Sequence, residues 1–158
     1  MKHLVFISLF LLQASCGFNP AYKVKNNEKS LILSSIEITP ISTIEGTYFY
    51  NHLKSIFPST KSPKYILNTQ LSFNKSYNII QPNSDILRET QNINVNYQLL
   101  DKQTLKIVTS GNFHKMNSYS VNFSLYSNTV LGQDSTILLA ESAAEEVRNR
   151  LIMFFSLL

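Results

Sequence analysis

Three stretches in the middle of this chain alternate, residue by residue, between apolar and uncharged polar side chains. That period of two leaves little room for anything but a sheet with one wet face. Over residues 64–75, Tyr65, Leu67, Thr69, Leu71 and Phe73 fall on one side, and Asn68, Gln70, Ser72 and Asn74 on the other. Over 87–99, Ile93, Val95, Tyr97 and Leu99 alternate with Asn92, Asn94, Asn96 and Gln98. The short DKQT at 101–104 then leads into Leu105, Ile107, Thr109, Gly111 and Phe113, so the last two strands are expected to form a hairpin. Half-polar consecutive strands predict an antiparallel meander whose apolar face needs a cover. A first strand is expected over 31–38, LILSSIEI, ended by Pro40. A helix should follow it, opened by a Ser42–Glu45 capping box and carrying Phe49, Leu53, Ile56 and Phe57 at helical spacing before Pro58. After Gly132 and Asp134 comes a second helix, with Leu138, Ala144, Val147, Leu151, Phe154, Phe155 and Leu158 as its apolar stripe and Ala140 and Ala143 allowing close approach. The order β-α-β-β-β-α predicts an α+β two-layer sandwich, a largely antiparallel sheet with two helices on one face. With 158 residues there is room for one such core.

The N-terminus has its own logic. Lys2 precedes the largely apolar run LVFISLFLL at 4–12, and small residues follow at Ala14 and Ser15. This run is too short to span a bilayer, which takes about 20 apolar residues, and it has the layout of a secretory signal. The chain has a single cysteine, Cys16. In an exported protein a lone cysteine is a free thiol, an intermolecular bridge or a modified residue. Its position after Leu12-Gln13-Ala14-Ser15 resembles the bacterial lipobox, with Gln13 where an apolar residue is usual. That resemblance implies cleavage before Cys16 and attachment of diacylglyceryl and N-acyl lipid to it; the alternative is an ordinary signal with a chance cysteine near its end. Residues 1–15 are thus expected to be signal, 16–30 a lipidated start and tether, and 31–158 the folded domain. Gly17 in place of Asp points, by the same resemblance, to the outer membrane. The tail LIMFFSLL reaches only about 12 Å as helix and is expected to be a buried helix end.

Reactive chemistry is hard to find. His52 and His114 have no metal-type neighbours at ligand spacing, and with only four glycines neither a nucleophile elbow nor a phosphate cradle occurs. No metal, catalytic or cofactor residues are expected, and Glu145 and Glu146 beside Arg148 and Arg150 read as a solvated, ion-paired face. A formal net charge of +4 is too mild to argue for nucleic acid. In a meander, Lys75, Arg88 and Lys115 should gather at one end of the sheet, next to the loop 76–87 with its Tyr77, Ile79 and Ile80. Lys64, Lys102 and Lys106 should gather at the other. Two readings of the first group stand level: cations beside apolar groups that bind an amphiphile with anionic heads, or strand-end lysines that guard against aggregation.

Cys16-Gly17-Phe18-Asn19-Pro20-Ala21-Tyr22, then Asn96-Tyr97-Gln98-Leu99-Leu100-Asp101 before the hairpin, Ser110-Gly111 after it, Ser118-Tyr119, Tyr126, and a helix with Ala140, Ala143, Ala144 and Arg148-x-Arg150-Leu151 together resemble the LPS-assembly lipoproteins, the LptE family, of the alphaproteobacterial type. Gln103-Thr104 stands in the turn where that family carries glycine. The resemblance covers the whole expected mature chain. It implies a protein without enzymatic activity or cofactor, anchored at the periplasmic face of the outer membrane, that plugs the β-barrel LptD and helps deliver lipopolysaccharide. Lys75, Arg88 and Lys115 are then the candidate contacts for lipopolysaccharide. The alternative is a lipid-anchored accessory of a phospholipid or solute transport system; a hydrolase and a peptidoglycan binder rank lower.

Overall fold

A computed structural model describes residues 32–58, 62–79, 87–121 and 124–157. Cys16, the signal, the tether, Ile80 and Leu158 lie outside the described residues. The elements are β1 (Ile36–Ile38), α1 (Ile44–Ile56), β2 (Tyr65–Ile79), β3 (Leu87–Asp101), β4 (Ile107–Val121) and α2 (Leu125–Ser156). They form one sheet in the order β1-β2-β3-β4, with β1 parallel to β2 and the remaining pairs antiparallel. The expected α+β sandwich with two helices on one face is the fold observed.

Its boundaries differ from expectation in instructive places. The first strand is three residues, not eight, because Ser35 closes a turn onto Ile32 with both its amide (2.9 Å) and its hydroxyl (2.6 Å). Thr43, not Ser42, caps α1, its extended backbone letting the hydroxyl accept from the Gly46 amide at 3.0 Å. β2, β3 and β4 are all fifteen residues long, so residues 76–79 and 87 of the expected loop 76–87 are strand, and β4 runs on past Phe113 to Val121. α2 starts nine residues before Asp134, capped by Ser124, and takes Gly132 into its interior. The Tyr119 hydroxyl sits 2.7 Å from where a Cβ on Gly132 would lie, so a strand residue explains a helical glycine. Leu138, expected in the apolar stripe, is instead 60% exposed.

The core lies between the helices and the odd-numbered face of the sheet. Leu67, Ile93, Val95 and Leu99 meet Phe49 and Leu53 of α1 and Ala140, Ala143, Ala144, Val147 and Leu151 of α2, all fully buried. Gly111 belongs to this packing: the Tyr97 ring from the neighbouring strand occupies the space a side chain there would need. The tail is only partly covered. The Phe155 ring meets the Tyr65 ring in a tilted contact at 5.6 Å between centroids, whereas Met153 and Leu157 are exposed.

The β3–β4 hairpin is closed by Asp101, whose carboxylate accepts from the Gln103 and Thr104 amides and the Thr104 hydroxyl at 2.8–3.1 Å. Hydrogen bonding from the Thr104 amide and hydroxyl, joined by Gln103, holds that carboxyl below its ordinary pKa against a small opposing effect of burial. Leu105 follows at φ 54°, a left-handed conformation that costs an L-residue about 1–2 kcal/mol.

Candidate functional site

The sheet offers two faces and two ends, and strand register decides which side chain stands where. On the open face, cross-strand rows read Gln70·Asn96·Asn112, Ser72·Asn94·His114 and Asn74·Asn92·Met116. Most of these side chains are exposed, and none is Asp, Glu, Lys or Arg. Apart from His114 and Met116, these rows present amides and hydroxyls.

The covered face changes character toward the end away from the hairpin. The rows Leu71·Val95·Phe113 and Phe73·Ile93·Lys115 give way to Lys75·Gln91·Asn117 and Tyr77·Glu89·Tyr119. Gln91 is fully buried and Glu89 is 7% exposed. The Gln91 amide nitrogen donates to Glu89 at 3.0 Å and to the Gly132 carbonyl at 3.1 Å, and its oxygen accepts from Thr136 at 3.2 Å. Asn117 donates to Ser135 at 3.0 Å. The first half of α2 therefore meets the sheet through polar groups, and it turns Leu125 and Tyr126, each 82% exposed, outward. Residue parity was the signal for this network: Glu89 and Gln91 share the odd numbering of Ile93, which puts a carboxylate and an amide on the buried side.

Glu89 is ionised there for a reason. Burial by itself raises the pKa of its carboxyl, but hydrogen bonds from Gln91 and Tyr119, the Lys75 charge at 3.8 Å and a hydrogen bond from Tyr77 outweigh burial and leave it below 4.5. Tyr119 is pushed the other way, by burial and by its bond to the Glu89 carboxylate. A carboxyl with a lowered folded pKa contributes stability that is present above its unfolded value and lost as pH falls through the folded value. Urea titrations of wild type and Glu89→Gln are therefore expected to differ most at neutral pH. The gap should close as pH drops below 4.5; a gap independent of pH would show that the Glu89 charge contributes nothing.

The three candidate cations do not meet at one place. Lys75 and Lys115 are on the covered face, Lys75 beside Glu89 and Lys115 bonded to the Ser142 carbonyl and hydroxyl at 2.9 and 2.8 Å, with Glu146 at 4.0 Å. Arg88 pairs in register with Asn78 and Ser120 and stands on the open face. The expected grouping is thus corrected: shared position along a strand is not shared face, and the even-numbered Arg88 points away from the two odd-numbered lysines. Arg88 makes no ion pair among the described residues.

The second group does come together. The Lys102 amide bonds the Lys64 carbonyl at 2.8 Å, the Asp101 amide bonds the Lys106 carbonyl at 3.0 Å, and the Lys102 ammonium reaches Glu37 at 2.7 Å. Elsewhere Glu146 pairs with Arg150 at 2.8 Å, and His52 lies 3.8 Å from Glu141 and 3.5 Å from Glu145 across the two helices. Among the described residues there is no cluster of His, Cys, Asp or Glu arranged to hold a metal ion, and no helix long and apolar enough to cross a membrane.

This sandwich is a fold shared with solved bacterial lipoproteins. A Caulobacter crescentus chain provisionally described as a lipoprotein superposes with a TM-score of 0.67 at 18% identity, over 82% of this chain and 97% of its own. Rare lipoprotein B from Shewanella oneidensis gives 0.59 at 9% identity, over 77% and 95%. At those identities the likeness is one of fold. No family model matches the sequence. The uncharacterized protein RP188 of Rickettsia prowazekii is 37% identical over 155 residues, 98% of each chain, and the present chain belongs to its family.

Proposed function

We propose that this protein is an outer-membrane lipoprotein of the LPS-assembly type, anchored through acylated Cys16 on the periplasmic side. In this reading it has no enzymatic role or cofactor. It seats inside the β-barrel LptD and helps pass lipopolysaccharide to the outer leaflet. The observation that carries the reading is the middle of the open face, where the rows across β2, β3 and β4 are mostly Asn, Gln and Ser on fifteen-residue strands, with Arg88 toward one end. Such a face suits the polar interior of a wide barrel, where a charged or greasy one would not. A fold shared with bacterial lipoproteins supports it. Of the three candidate cations, Arg88 is the one without a protein acceptor among the described residues, and it is the residue assigned to lipid phosphate; Lys75 and Lys115 support the buried face instead.

The test is a mild-detergent pulldown from outer membranes with wild type and Cys16→Ala, followed by mass spectrometry of the partners and of the N-terminal peptide. Acyl chains contribute about 0.8 kcal/mol per buried methylene, so wild type is expected wholly in the membrane and Cys16→Ala largely released. A near-equimolar large β-barrel recovered with acylated wild type supports the reading. Acylated chain without a barrel overturns it in favour of an accessory of a phospholipid or solute transporter.

A further inference from the structure

The hairpin end of the sandwich collects exposed apolar side chains and lysines from separate elements. Leu105 (66% exposed) at the tip and Ile107 (56%) just after it project from the sheet. Met153 (64%) and Leu157 (85%) project from the end of α2, brought alongside by the Phe155–Tyr65 contact. Around them stand Lys64, Lys102 and Lys106 at the strand ends and Lys54 in the last turn of α1, all exposed. Among the described residues the acids at this end are Asp101, whose carboxylate is turned into the hairpin, and Glu37, which is bonded to Lys102. That leaves Lys54, Lys64 and Lys106 without carboxylate partners among the described residues. The end thus carries exposed apolar side chains and exposed lysines together.

Leu105 is the informative residue. Its left-handed backbone favours glycine or asparagine, and its side chain is mostly in solvent, so neither conformation nor packing within the fold accounts for a leucine. An exposed apolar group at the tip of a turn, on an end that also carries exposed lysines, matches the chemistry of an anionic bilayer surface: acyl region for the leucine, phosphates for the ammonium groups. The chain's own path agrees. The described fold begins at Ile32, and the Ser35 carbonyl that follows it accepts from the Lys64 and Tyr65 amides, so the first described residues lie at this same end.

We infer that the hairpin end, led by Leu105 with Lys64 and Lys106, is a docking face for an anionic phospholipid bilayer. Arg88 and Tyr126 lie at the far end of strands that span about 50 Å. The inference concerns the folded end alone and is independent of both acylation and any barrel partner.

The sequence contains no tryptophan and one cysteine, which makes the test direct. A chain beginning at Cys16, with the whole described fold retained, is coupled through that cysteine to a maleimide lipid, so that the tether does not depend on biological acylation. The vesicles are phosphatidylethanolamine and phosphatidylcholine, with or without phosphatidylglycerol. Leu105→Trp places the sole tryptophan at the tip; Met153→Trp is a second reporter at the same end, and Tyr126→Trp is the control at the opposite end. In phosphatidylglycerol vesicles the tryptophans at 105 and 153 are expected to shift to shorter emission wavelength and to be quenched by brominated lipid, while the one at 126 is not. Lys64→Glu with Lys106→Glu should abolish both effects without changing the circular dichroism spectrum. Equal quenching at both ends, quenching at neither, or insensitivity to phosphatidylglycerol and to the charge reversal would each overturn the inference. Because the tether is supplied chemically, none of these outcomes bears on acylation of Cys16.

Discussion

Phe49→Ala is expected to remove about 3–5 kcal/mol of stability, read as a lower urea midpoint at unchanged slope. Phe49 is fully buried in the middle of α1, on the side that meets the core. That helix has thirteen residues, a length at which an isolated helix is marginal in water, so tertiary packing is what maintains it. A domain of this size has about 5–15 kcal/mol in total, so the variant should sit near its unfolding threshold at 37 °C. A loss under about 1 kcal/mol would mean that the neighbouring side chains collapse into the vacated space, against the partial relaxation usual in close-packed cores.

Gln91→Leu is the second large effect, expected at about 2–3 kcal/mol. Leucine is close enough in volume that little cavity forms, so the loss reports polar satisfaction. The Gly132 carbonyl keeps its bond from Thr136 at 2.8 Å, but Glu89 loses its Gln91 donor while still buried. Losing that bond also moves the Glu89 pKa back up, so the cost of Gln91→Leu should be larger at pH 7 than at pH 3. Combining it with Thr136→Val in a double-mutant cycle measures the coupling across the helix–sheet junction. Strict additivity would show that the first half of α2 is held by something other than this network.

These expectations depend on features with different legibility. The wet and covered faces followed from parity. Asn94 and Asn96 are exposed, Ile93 and Val95 are buried, and the same rule already separated Arg88 from Lys75 and Lys115. Applying position along the strand without parity produced a cluster that the register divides between two faces. The candidate site was therefore half legible: which residues lie near which end, but not which of them point the same way.

Element limits were less accessible for a different reason. β4 runs on past Phe113 because Tyr119 and Asn117 find Glu89 and Ser135 as partners, and α2 begins early because Gly132 fits under Tyr119. Thr43 rather than Ser42 caps α1 because its hydroxyl faces the Gly46 amide. Each depends on a contact whose other half lies elsewhere in the chain or on a backbone angle set by packing.

By itself, then, the sequence determined the period-two strands, their polar and apolar sides, the two helices and the order β-α-β-β-β-α, because these follow from local covalent geometry and side-chain polarity. Only the tertiary structure decided that Met153 and Lys54 join Leu105 and Lys64 at one end while Lys115 is spent on Ser142. Those neighbourhoods are created when α1 and α2 run back along the sheet, and residues tens of positions apart become adjacent through packing that no local pattern encodes.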